Sequence, residues 1–251
     1  MTYFLQLKPQ SKMCRSLLFA ASALGLCLTA NSTISQTLPL TENLINFNSI
    51  AGEELLIASQ ARRDYLPLSI QFETQENRAY CGVASIVMAL NALAIPAPLA
   101  PEFGTNRFTQ KNVLNEDTAR VLTAEEIARQ GMTLAQLGQL LATHPVTVGI
   151  YHGSDVTLEE FRKLAVRNLQ ETDNFVLVNY LRRTIGQERG GHISPLAAYN
   201  QERDRFLILD VSRYKYPPVW VKAEDLWKAM NTTDSVSGKT RGFVLVSRTQ
   251  D

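Results

Sequence analysis

Between Cys81 and Leu93 the run CGVASIVMALNAL repeats apolar residues at helical spacing and carries small residues that let a helix pack closely. Three further helices announce their starts with capping boxes, in which a Thr hydroxyl and a Glu or Gln three residues on satisfy each other's backbone donors. The pairs are Thr123 with Glu126, Thr133 with Gln136 and Thr157 with Glu160. Strand-like runs follow at 146–151, 175–180, 192–199, 206–211, 219–221 and 243–246. Helices come mostly first and antiparallel-looking strands mostly second, which predicts an α+β fold with a helical lobe packed against an antiparallel sheet lobe.

Composition narrows the chemistry. The 251 residues are 45% apolar, enough to bury one sizeable core as a single domain with a small extension. Lys and Arg number 25 against 24 Asp and Glu with no basic block, which removes the electrostatic case for a nucleic-acid partner. Three cysteines are too few for a disulfide scaffold, and His144, His152 and His192 leave little material for a protein-borne metal site.

The N-terminus reads as an export signal. Lys8, Lys12 and Arg15 precede LLFAASALGLCLTA at 17–30, too short to span a bilayer and followed by small residues. Residues 1–30 are therefore expected to be a signal peptide, 31–65 an extension and 66–251 the main domain. The cleaved chain would be periplasmic with no stable membrane association; an unprocessed cytoplasmic chain is the alternative. Cleavage near Ala30 removes Cys14 and Cys27, so Cys81 would be the one cysteine left.

Cys81 starts its helix, where the helix dipole and free N–H groups favour a thiolate. Gln75, six residues upstream, could hold an amide donor near it and complete a two-donor oxyanion hole with the Cys81 N–H. His192 sits in GGHISP, ahead of a strand, a polar turn at 200–204 and a second strand ending at Asp210. The midpoint of His192 and Asp210 is 201, so a hairpin sets them face to face, and their even separation puts both on one side. A carboxylate on Nδ1–H would give the imidazole the tautomer and orientation of a general base. His144, His152 and the run Arg182-Arg183 read as structural or solvated.

The order Gln75, Cys81, His192, Asp210 resembles the papain-like cysteine peptidase plan, with Asp in place of the commoner Asn. Four longer stretches resemble the catalytic domain of phytochelatin synthases: YCGVASIVMALNAL at 80–93, GHISPLAAY at 191–199, ILDVSRYKYPPVW at 208–220 and MNTTDSVSGKTRGF at 230–243. The similarity runs from about Leu66 to Ser247 and stops short of the Cys-rich C-terminal region of the plant enzymes, as in the short bacterial and cyanobacterial members.

The resemblance implies that Cys81 attacks the Cys–Gly amide of glutathione, expelling glycine and leaving a γ-glutamylcysteinyl thioester. His192 would move the proton, Asp210 would orient His192, and Gln75 would supply the oxyanion donor. The thioester would pass to water or to a second glutathione, making a phytochelatin. Arg241 and Asp234 are implied to bind the zwitterionic γ-glutamyl group, with Asn179 and Gly191 beside them. No cofactor is expected for acyl-enzyme formation. Heavy-metal ions such as Cd, Zn or Cu would enter as glutathione thiolate complexes, with metal-dependent synthesis weaker than hydrolysis. The expected partners are glutathione and γ-glutamylcysteine peptides, with a homodimer allowed. A general cysteine peptidase and a non-catalytic thiol- or metal-binding protein are the competing readings.

Overall fold

The computed structural model describes residues 37–249. In chain order the elements are β1 (Ile45–Asn46), α1 (Ile50–Ala58), α2 (Tyr65–Ile70), α3 (Cys81–Ala92), β2 (Leu99–Ala100), β3 (Thr105–Asn106), α4 (Glu116–Ala119), α5 (Ala124–Gln130) and α6 (Leu134–Leu141). Then come β4 (Val146–His152), α7 (Leu158–Gln170), β5 (Asn174–Leu181), β6 (Gly191–Asn200), β7 (Arg205–Ile208), β8 (Val219–Lys222), α8 (Ala223–Met230) and β9 (Gly242–Arg248). All three expected capping boxes form, and Asn115 with Thr118 adds a fourth at α4.

Seven strands make one antiparallel sheet in the order β1-β8-β7-β6-β5-β9-β4. The fold is thus mixed helix and antiparallel sheet, as the element order predicts. Its helices, however, cover both sides. On β5, Phe175 and Leu177 join the core with α3 and α6, whereas Val176, Val178 and Tyr180 join the core with α7 and α8. Burial on both faces explains why 175–178 reads as an unbroken apolar run.

The segment before Leu66, expected as an extension, lies on the sheet. β1 pairs with β8, Leu55 of α1 joins the first core cluster, and the buried Trp220 indole donates to Gly52 O at 2.9 Å. The expected signal at 1–30 lies outside the described residues.

Candidate active site

Cys81 opens α3. Its N-cap, Tyr80, offers no side-chain acceptor, so the first-turn N–H groups stay free and favour negative charge there. The thiol is half-buried. Burial pushes its pKa up, but the hydrogen bond and charge of His192, the Ile193 N–H and the charge of Arg182 outweigh that and hold it below its ordinary value. The first turn of α3 also meets the start of β6 through Ser85, whose hydroxyl donates to Cys81 O at 2.8 Å and to Ile193 O at 3.4 Å.

The meeting of His192 and Asp210 depends on a β-bulge. The hairpin turn closes on Asn200↔Arg205, and that register, continued unbroken, would set Asp210 opposite Pro195 and away from His192. Between Leu196 and Ala198 the register shifts by one residue, so that Leu196 pairs with Ile208 and Leu209 N donates to Pro195 O at 3.0 Å. Asp210 then falls across from Ser194, on the side of His192. Core membership records the shift: Ala197 and Ala198 both enter the first cluster, while Leu196 and Tyr199 on either side enter the second.

That register also turns the ring. Asp210 lies across from Ser194 and not from His192, so the imidazole reaches it with its outer nitrogen. Nε2 is 2.9 Å from Asp210 Oδ1 and 2.9 Å from Ser194 Oγ. The expectation of Nδ1–H on the carboxylate is therefore corrected: Nε2 faces Asp210, and Nδ1 is left for the thiol. Burial alone would lower the pKa of His192, but the charge and hydrogen bond of Asp210 raise it above its ordinary value. Burial would raise Asp210, and His192 with Arg182 instead hold it well below the carboxylate range.

Arg182 is the second correction. It is buried, not solvated, and its Nη1 and Nη2 donate to Asp210 Oδ2 at 2.7 Å and Oδ1 at 2.9 Å. A 3₁₀ turn at Arg182–Ile185 points it inward over the Tyr216 ring and leaves Arg183 exposed, a geometry two adjacent arginines do not signal. Sequence reasoning also missed Tyr180, whose buried ring stands edge-on to His192 with centroids 5.7 Å apart and whose hydroxyl has no protein partner.

Cys81 and His192 open onto a cavity of about 420 Å³ that Asn179, Gly191, Asp234 and Arg241 also line. Arg241 Nη2 lies 4.0 Å from Asp234 Oδ2, Nη1 donates to Thr233 O at 2.8 Å, and the buried Nε has no protein partner. Gly191 lets the guanidinium come close: a Cβ there would stand 3.3 Å from both Nε and Nη2. A cation with an open donor beside a carboxylate suits a small zwitterion.

Gln75 is placed differently. It is buried and does not line the cavity; its Nε2 donates to Asn77 O at 2.6 Å and Tyr214 Oη at 3.1 Å, and Oε1 accepts from Ser212 at 2.8 Å. His144 packs edge-on against Phe108, and His152 Nδ1 meets Thr240 O at 2.5 Å; neither lines the cavity. Among the described residues no three His, Cys, Asp or Glu side chains cluster as metal ligands, and no helix is long and apolar enough to cross a membrane.

Among curated proteins the chain is 36% identical over 209 residues to glutathione gamma-glutamylcysteinyltransferase 1 of Arabidopsis thaliana, covering 81% of this chain and 42% of the relative. It is 35% identical over 207 residues to the Lotus japonicus protein of the same name, covering 81% and 40%, and 30% identical to the Schizosaccharomyces pombe enzyme, covering 82% and 50%. The chain thus spans half or less of these relatives' length. Among solved structures, xylellain, a cysteine protease from Xylella fastidiosa, aligns over 85% of this chain and 91% of its own with a TM-score of 0.41 at 10% identity. The phytochelatin synthase family model matches residues 35–243, which take in six of the seven sheet strands, the start of β9 and every residue that lines the cavity, and the chain belongs to the phytochelatin synthase family.

Proposed function

We propose that the protein cleaves glycine from glutathione through a Cys81 thioester and passes γ-glutamylcysteine to water or to a second glutathione. The observation that carries this is the single cavity joining the Cys81–His192 pair to the Arg241–Asp234 pair, whose unpartnered Nε fits an α-carboxylate. The relatives' names supply the acyl group. A long peptide has no zwitterion to place there, which disfavours a general peptidase.

Catalysis follows from the charges. The depressed thiol and raised imidazole favour a Cys81 thiolate beside a His192 imidazolium, with Asp210 holding the ring through Nε2. The thiolate attacks the Cys–Gly carbonyl carbon. The Cys81 N–H steadies the oxyanion, and Gln75 can add a second donor only if its Nε2 gives up Tyr214 and turns toward the cavity. His192 Nδ1–H protonates the departing glycine amine, the C–N bond breaks, and the now neutral imidazole deprotonates the acceptor. Cadmium, zinc or copper enters with substrate, as a thiolate complex of glutathione. In this reading the chain is exported, residues 1–30 are removed as its signal, 31–251 act as the enzyme, and a homodimer is allowed.

Incubation with glutathione, with and without cadmium, tests this by assaying glycine, γ-glutamylcysteine and oligomeric product and by weighing the intact acyl-enzyme. Wild type is expected to release glycine and Cys81→Ser to release none. No glycine from the wild type, or equal release from Cys81→Ser, overturns the proposal.

A further inference from the structure

The cavity has a second wall that the proposed donor site does not use. On the sheet side stand Asn179, Gly191, Asp234 and Arg241; on the other stand Arg78, Ala79 and the α5–α6 corner, with Arg129 on the last turn of α5. That corner sits tight against the start of α3, since a Cβ on Gly82 would lie 2.5 Å from Met132 Sδ. Cys81 stands where the two walls meet, lining the cavity with His192 of one and lying two residues from Ala79 of the other.

Arg78 and Arg129 are both exposed and, among the described residues, neither has a carboxylate within ion-pair range. The nearby Glu126 feels the charge of Arg129 but bonds elsewhere, its Oε2 accepting from the Thr123 backbone at 2.9 Å and hydroxyl at 2.8 Å. Two guanidiniums without an ion-pair partner therefore border the same cavity as Arg241, on different elements of the chain. From the argument above, we infer that Arg78 and Arg129 form a carboxylate subsite holding first the carboxylate of the leaving glycine and then the α-carboxylate of the amine that accepts the acyl group. This rests on the proposed acyl transfer.

The chemistry requires one place for both. In acylation the amide C–N bond breaks, the C–S bond forms, and glycine leaves as an amine one carbon from a carboxylate. In transfer an amine attacks the thioester carbon, the C–N bond forms, the C–S bond breaks, and the ammonium proton goes to His192. Glutathione attacks through its α-amine, also one carbon from a carboxylate. By microscopic reversibility the attacking amine occupies the position the leaving amine vacated, so one pair of cations serves both, and water, having no carboxylate, gains nothing from it.

The test uses the full chain and glutathione, with labelled glycine or glycinamide as acceptor. Intact mass first establishes the Cys81 acyl-enzyme; its absence overturns the proposed function and this inference together. With the acyl-enzyme present, wild type is expected to prefer glycine over glycinamide about tenfold, the worth of about 1.4 kcal/mol of charge-assisted contact. Arg78→Ala/Arg129→Ala should bring that preference near one and leave hydrolysis of the formed acyl-enzyme and the melting temperature unchanged, while Arg78→Lys/Arg129→Lys keeps most of it. A wild type indifferent to the acceptor's carboxylate, or a double alanine variant that keeps the preference, overturns the inference and leaves the acyl-transfer reading standing.

Discussion

Arg182→Met removes the guanidinium that grips both oxygens of Asp210, sharing Oδ1 with His192. Asp210 is 0% exposed, and it loses two charge-assisted hydrogen bonds of 2.7 and 2.9 Å while keeping His192 and the Ser212 N–H at 2.8 Å. Orphaning one member of a buried ion pair costs ~3–5 kcal/mol, and the surviving partners put this case near the lower end. For a domain of this size about 3 kcal/mol lowers the melting temperature by roughly 6–12 °C. Arg182→Met/Asp210→Asn should lose less than the two single variants together, by about 1–3 kcal/mol, because a neutral amide needs no counter-charge.

The electrostatics give the same variant a signed pH effect. Arg182 lowers both the Cys81 thiol and the His192 imidazolium pKa, so its removal raises both. The window in which thiolate and imidazolium coexist should move to alkaline pH at both limbs. Alkylation of Cys81 by iodoacetamide, followed peptide by peptide across pH, reads the thiol limb, and turnover reads both. A melting shift under about 2 °C, strict additivity in the double variant, or an acid-ward alkylation midpoint would refute the reasoning.

Other outcomes follow from single positions. Asp64, 2% exposed with an unpartnered Oδ2, is pushed by burial to a pKa of about 9. The native state then keeps a proton that the unfolded chain gives up near pH 4, so stability falls as pH rises from about 4 to about 9. Asp64→Asn should flatten that slope in thermal denaturation and gain on the order of a few kcal/mol at pH 8; an unchanged slope sinks the assignment. Gly191→Ala presses a methyl on Arg241, so KM for glutathione should rise about tenfold with kcat little changed. A fall in kcat alone would show that Arg241 does not bind the ground state.

Local chemistry made much of this readable in advance. The Cys81 helix, three capping boxes and the six main strands were set by residues within a few positions of one another. Long-range effects were not. Arg182 looks like its solvated neighbour because its partner stands 28 residues away at Asp210. The same-side placement of His192 and Asp210 came from a symmetric hairpin about 201, but the turn closes on Asn200 and Arg205, which alone gives the opposite result. The compensating bulge falls at Ala197, where no glycine marks it. The ring reversal follows from the same hidden shift, and the burial of β5 on both faces became visible only with α7 and α8 in place.

That bulge lets one hairpin satisfy two incompatible phases. Side chains along a strand alternate like a binary digit, and each register has only two settings relative to its partner. At the loop end, four residues from Gln201 to Asp204 close the turn, with Asp204 in the left-handed region at φ 47°, and this fixes the odd setting. At the other end the carboxylate needs the even one. Ala197 is the carry between them, so the loop's geometry is insulated from the alignment of the His192–Asp210 pair that it carries.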